Sequence, residues 1–191
     1  DYVKKLDHKV EYIVENYKKI EKNPNIMVFA DHGMAQVNKI LHFKDLLNHK
    51  DYNKRFFMVP DGTMLRFWYF DDDIKSEIRN YLGQYACGNF LTNNEIKQLH
   101  LNFNHNKYFD DVFLLNQGYS IFPNFMSWNT PKAMHAYHPA YKEQHGALIF
   151  SGNSFDSIKE RTTYLADLMP TMLDCLNLEI PITCEGKSLV K

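Results

Sequence analysis

The sequence predicts an α/β fold, and three observations carry that prediction. An amphipathic pattern over residues 2–22 is followed by a proline-centred stop and a short apolar run at 26–29, the helix, turn and strand unit of an α/β sheet. A second apolar run at 147–150 leaves through Ser151-Gly152-Asn153, the exit expected of another buried strand. The first run also ends abruptly in Asp31-His32-Gly33, a carboxylate and an imidazole side by side where the strand meets its loop. In open α/β sheets ligands gather at the carboxyl ends of strands, so this pair marks a candidate half of a metal site.

The remaining elements follow in order. Val3, Leu6, Val10, Ile13, Val14, Tyr17 and Ile20 recur at steps of three and four, which predicts a helix with one face on a core. Asn23-Pro24-Asn25 stops it, because proline cannot continue a helix and biases its predecessor out of the helical region. Residues 26–29 then read as a strand of a parallel sheet. Residues 43–49 predict one or two helical turns, and 55–70 a hairpin turning at Pro60-Asp61-Gly62. Asp71-Asp72-Asp73 opens a helix carrying Ile74, Ile78, Tyr81, Leu82 and Tyr85, with Gly83 and Gly88 at its fraying end. Three adjacent carboxylates invite a calcium reading, but the spacing and glycine of an EF-hand loop are absent, so a charged helix start is the better account.

A short helix is predicted at 93–100, and strands at 112–115 and 119–122 around Gly118. A long aromatic connection over 123–144 precedes the strand at 147–150; segments of this length inside a domain usually carry function. The last helix spans 164–176, with Pro170 in its interior or at a break. No internal repeat or linker interrupts the pattern, and 191 residues fit one domain or a large piece of something bigger.

Composition narrows the function classes. An apolar fraction of 45% and an aromatic fraction of 15% exclude low-complexity disorder. The net charge of −1, with lysines interleaved among Asp and Glu, gives no global field for nucleic acid, and no nucleic-acid partner is expected. No run approaches the roughly 18 apolar residues of a membrane span, and the start DYVKKLD is no signal peptide. Cys87, Cys175 and Cys184 cannot all pair; Cys175 and Cys184 are close enough to close a short loop, and buried thiols fit as well.

Three histidines, His135, His138 and His145, fall in MHAYHPAYKEQHGALIFSG. A lone histidine is more often a hydrogen-bonded structural residue than a ligand. Three of them just before an apolar strand, in a chain already showing Asp-His at a strand end, point toward metal, since neutral imidazole suits zinc and related cations. Trp68, Trp128, Tyr137 and Tyr141 offer faces for a base, although aromatic residues in such a chain more often serve the core.

Asp31-His32-Gly33-Met34 after an apolar strand resembles the DHGM motif of the type I phosphodiesterase / nucleotide pyrophosphatase family, within the alkaline phosphatase superfamily. Laid without a gap, His135-Ala136-Tyr137-His138-Pro139 falls on that family's HGYDP, and Gly152-Asn153-Ser154-Phe155 on its GPxF. Gly186-Lys187-Ser188-Leu189 is similar to its closing GxSL. Ala30, Ala136, His138 and Asn153 depart from the usual Ser, Gly, Asp and Pro. His138 in place of Asp stands where it would alter the surroundings of the ligands or compete as one, and His145 lies where some members carry His-Gly.

The resemblance implies an alkaline-phosphatase-like sheet with helices on both faces and a site for two divalent metal ions, zinc foremost. Asp31 and His32 would bind one cation and His135 the other, with His138 and His145 as supporting residues or alternative ligands. The family's further ligands and its Thr or Ser nucleophile precede DHGM. Residues 1–191 therefore read as the C-terminal portion of a single catalytic domain, inactive alone, with the N-terminal half of that domain as partner and a small phosphate ester or nucleotide as substrate. Two alternatives remain open: a noncatalytic binding module of the same fold, and a phosphomonoesterase or phosphoethanolamine transferase of the superfamily. The resemblance implies a secreted, periplasmic or membrane-anchored ectodomain.

Overall fold

The computed structural model describes residues 1–126, 128–156, 158 and 162–190. In chain order the elements are α1 (Tyr2–Tyr17), β1 (Ile26–Phe29), β2 (Ala35–Gln36), β3 (Lys39–Leu41), α2 (Lys44–Leu47), β4 (Phe56–Asp61) and β5 (Met64–Tyr69). They continue with α3 (Asp72–Leu82), β6 (Gly88–Phe90), α4 (Asn93–Gln98), β7 (Asp111–Leu115), β8 (Tyr119–Ile121), β9 (Ala133–Met134), β10 (Leu148–Ser151) and α5 (Leu168–Cys175). The chain divides into two compact units, one of residues 32–145 and one of residues 1–31 with 146–191.

The central unit is built on an antiparallel sheet in the order β4-β5-β7-β6. Its hairpin runs from Phe56 opposite Tyr69 to Asp61 opposite Met64, so the turn is Gly62-Thr63, and Pro60 and Asp61 belong to β4. Gly62 at φ 58 supplies the positive value that the first position of a two-residue hairpin loop can require. Pro60 is tolerated because β4 is an edge strand. Ile74, Ile78 and Leu82 of α3 join Phe56, Met58, Leu65, Phe67 and Phe113 in one buried cluster.

Asp71 caps α3, accepting from the Ile74 N–H at 3.0 Å, and it also receives a two-pronged bond from Arg55. Arg79 on the same helix grips buried Asp111 of β7 through Nε at 2.7 Å and Nη2 at 2.8 Å. Thr92 and Glu95 close a reciprocal cap on α4. β6, where Gly88 had suggested a fraying helix end, is a strand paired with β7. A Cβ at Gly88 would lie 2.5 Å from the Leu114 carbonyl oxygen, so close strand approach explains this glycine. β3 and β8 form a parallel pair, and β2 and β9 an antiparallel bridge.

In the other unit β1 pairs antiparallel with β10, from Ile26 opposite Ser151 to Phe29 opposite Leu148. This corrects the expected parallel arrangement: an apolar run specifies burial but carries no information on strand direction. α1 ends at Tyr17, and no residue of it is buried; Val3, Leu6 and Ile13 are 76, 64 and 65% exposed. The expected packed face is therefore bare, because periodicity defines a stripe and cannot supply the surface that covers it.

α5 begins after a 3-10 turn at Leu165–Asp167, and Pro170 sits in its first turn, where an N–H would have no helical partner. The Gly186–Leu189 stretch is strapped to this helix. The Leu189 N–H donates to Thr171 Oγ1 at 3.0 Å, the Ser188 hydroxyl to Asp174 at 2.6 Å, and the Lys187 N–H to Asp167 at 2.9 Å. Phe155, from the segment aligned with GPxF, is buried against Phe150 with ring centroids 4.7 Å apart. Cys87, Cys175 and Cys184 are free thiols.

Candidate metal centre

The first motif is shaped by the end of β1. The Ala30 N–H continues the ladder to the Ala147 carbonyl at 2.9 Å, and Asp31 and His32 follow at once. His32 Nδ1 lies 2.8 Å from the Gly33 carbonyl oxygen. A carbonyl only accepts, so Nδ1 carries a proton in this contact. Gly33 donates its N–H to the Gln144 carbonyl at 3.0 Å. A Cβ there would stand 2.2 Å from the Glu143 carbonyl oxygen and 2.8 Å from that of His145, which makes glycine obligatory at this backbone crossing.

The second motif reaches the first through the β2–β9 bridge, where Ala35 faces Met134. His135 follows β9 directly. The His32 and His135 rings stack with centroids 3.7 Å apart and planes 12° from parallel. Ala136 has φ 66, a left-handed conformation that accounts for a glycine at this place in the motif it resembles.

The β4–β5 turn holds this segment in place. The Thr63 hydroxyl donates to the Ala136 carbonyl at 2.8 Å, and the Tyr137 hydroxyl to the Tyr119 carbonyl at 2.7 Å. The Tyr137 N–H donates to Gln144 Oε1 at 3.1 Å. Asp61, paired with Arg66 at 3.1 Å, has its carboxyl pushed above the usual range by burial, against the opposing charges of Arg66 and His135. Asp61 was legible in the sequence only as a turn residue and Thr63 only as part of the second hairpin strand; the Thr63 bond to the segment after His135 is a product of the fold.

The other two histidines are differently engaged. His138 Nδ1 accepts from the Ala140 N–H at 3.2 Å, and His145 Nε2 donates to the Pro139 carbonyl at 3.0 Å. Among the described residues no group of three or more His, Cys, Asp or Glu side chains gathers as a complete metal cage. The imidazole donors of His32 and His135 are of a kind that suits zinc, whereas the donors brought together among the described residues fall short of the four that a tetrahedral cation takes. Trp128 projects into solvent, and Trp68 donates its indole N–H to the Asn106 carbonyl at 2.7 Å.

The family model of the type I phosphodiesterases / nucleotide pyrophosphatases matches residues 1–108. The chain belongs to this family. The match holds Asp31-His32-Gly33-Met34, and His135 lies beyond it. Among solved structures, murine ectonucleotide pyrophosphatase/phosphodiesterase 5 is similar with a TM-score of 0.74 and 20% identity, over 93% of this chain and 48% of its own. The same values hold for an inactive variant of that protein in complex with AMP. The human protein of the same name gives 0.74 and 17% over 96% of this chain and 49% of its own. The chain thus spans about half the length of these members and shares their mixed α/β fold, a partial alkaline-phosphatase-like fold. No curated protein matches the chain.

Proposed function

We propose that this chain is part of a metal-dependent phosphodiesterase or nucleotide pyrophosphatase that cleaves phosphodiester or pyrophosphate bonds by in-line displacement. The observation that carries the reading is the stack of His32 on His135, which joins two sequence motifs distant along the chain. The stack puts the two imidazoles in van der Waals contact, with centroids 3.7 Å apart.

In this reading Asp31 and His32 hold one divalent cation and His135 the other, with zinc the best match to the donors. Such cations, when bound, polarise phosphoryl oxygens and generate the attacking nucleophile. The bond from His32 Nδ1 to the Gly33 carbonyl fixes the orientation of that ring and leaves Nε2 as the nitrogen for the cation in this reading. Thr63 fixes the left-handed turn after His135 through the Ala136 carbonyl. His138 and His145 support the segment between the motif and β10. A Thr or Ser nucleophile and the remaining ligands come from a further part of the same catalytic domain, in keeping with the share of the solved structures that this chain spans. A small phosphate ester or nucleotide is the substrate, and an extracellular setting is proposed from the ectonucleotide enzymes whose fold it shares.

The test is hydrolysis of bis(4-nitrophenyl) phosphate and of 4-nitrophenyl phosphate by the full-length gene product, with zinc added or chelated. Diester cleavage that depends on metal and falls at least about a hundredfold in Asp31→Ala and His135→Ala is expected. Preference for the monoester supports a phosphatase, and full-length protein that binds no metal supports a noncatalytic module. Activity unchanged by chelation overturns the reading.

A further inference from the structure

The β1–β10 pair is a sheet of two strands only, and among the described residues no backbone bond joins its outer edges to a third strand. Two strands by themselves are marginal in water; a stable sheet takes three or more, or a covering layer. Residues directly opposite share a face and neighbours along a strand alternate, so Phe29 with Leu148 lies on one side and Val28 with Ile149 on the other. Phe29 is 48% and Ile149 61% exposed, which leaves both sides of the ribbon apolar and open. A sheet that faces water on one side alternates apolar with polar residues, whereas nearly continuous apolar strands belong to sheets covered on both faces. The strands IMVF and LIFS are of the second kind.

The same unit holds a third uncovered surface, the stripe of Val3, Leu6 and Ile13 on α1. At 16 residues α1 is close to the length below which an isolated helix is marginal, and helices in proteins draw most of their stability from a packed face. A second copy or a lipid surface would meet the ribbon on one side at a time. Two opposite faces and the edges between them are closed together only by continuing the sheet and its flanking layers. The size of that continuation is on hand in the fold this chain shares: it accounts for 48% of the murine structure at a TM-score of 0.74.

We propose that β1, β10 and the apolar stripe of α1 form the docking surface for the remainder of this α/β domain, which adds at least one strand to an open edge of the β1–β10 pair and covers both of its faces. The assignment rests on the phosphodiesterase reading, in which that remainder carries the nucleophile and further ligands, and adds to it the surface that receives them. Asp31 follows the end of β1 directly, so the added strand also steadies the segment from which this candidate ligand projects.

Photo-cross-linking in the full-length gene product tests the surface without requiring turnover. Ile149→p-benzoylphenylalanine and Ile13→p-benzoylphenylalanine are irradiated, and the linked peptides are identified by mass spectrometry. Links from both positions to residues outside 1–191 of the same molecule are expected. Hydrogen exchange of the unsubstituted protein is the second measurement should a variant fail to fold. The amides of residues 26–29 and 148–151, including those that point away from the partner strand, should exchange at least about a hundredfold more slowly than in the urea-unfolded protein, as amides of a sheet interior do. Links confined to residues 1–191, links joining two copies, or outward amides that exchange at the unfolded rate overturn the proposal. Links of the expected kind in a full-length protein that hydrolyses no diester uphold the surface and remove the phosphodiesterase reading instead. Metal-dependent diester hydrolysis with links only inside residues 1–191 does the reverse.

Discussion

The two units of this chain use equally apolar sequences to opposite effect. In residues 32–145 the stripe Ile74, Ile78, Leu82 meets a sheet and is buried with Phe56, Phe67 and Phe113. In the other unit the comparable stripe Val3, Leu6, Ile13 remains in water, and Phe29 and Ile149 of the β1–β10 pair are also exposed. Patterning alone thus stabilises nothing; at roughly 25 cal/mol per Å², the gain comes only from area removed from water.

The largest expected effect breaks the comparison at its packed side. Phe67→Ala removes a ring that is fully buried, and truncations of this kind cost about 3–5 kcal/mol through lost transfer energy and a residual cavity. Urea denaturation of the chain measures it; a loss below about 1 kcal/mol would mean that the sheet does not carry the stability assigned to it.

A smaller effect sharpens the account of α3. Arg55 and the Ile74 N–H hold the Asp71 carboxyl down to about 2, from an ordinary 3.8. The folded value lies below the unfolded one, so the contribution is fully present above about pH 4 and is lost as pH falls toward 2. The stability difference between the native chain and Asp71→Asn should be constant at neutral pH and shrink across that acid window. Acid titrations followed by circular dichroism check this, and a difference independent of pH would show that the charge of Asp71 does not matter.

The smallest effect probes the bare face. Leu6→Ser on α1 should change the stability of the chain by no more than about 0.5 kcal/mol, as for other exposed positions. A loss above about 1.5 kcal/mol in the full-length protein alone would show that this stripe is covered there, which sharpens the contrast into a statement about assembly.

Much of the local structure was legible. The carboxylates at 71–73 start a helix because Asp71 satisfies an orphan N–H of its first turn, and the runs read at 26–29 and 147–150 form strands at Ile26–Phe29 and Leu148–Ser151. The hairpin turn was displaced by one residue, since Pro60 and Gly62 both signal a turn while only Gly62 has the positive φ. β6 was missed because Gly-Asn-Phe carries no alternation from which a three-residue strand could be read. Of the candidate site, the motif histidines are visible in sequence. The half-burial of Asp61 and the Thr63 hydrogen bond to Ala136 are not, because each depends on a hairpin tip arriving beside a segment far along the chain.

The sequence by itself determined the α/β class, the helix stripes, the strand that delivers Asp31 and His32, and the family to which the motif belongs. Those features are written in local periodicity and in side-chain chemistry, which need no partner to be read. Tertiary structure decided the rest: that β1 runs antiparallel to β10, that the α1 stripe is exposed, and that His32 stacks on His135. Pairing direction, burial and proximity are properties of two segments at once, so only the folded chain could set them.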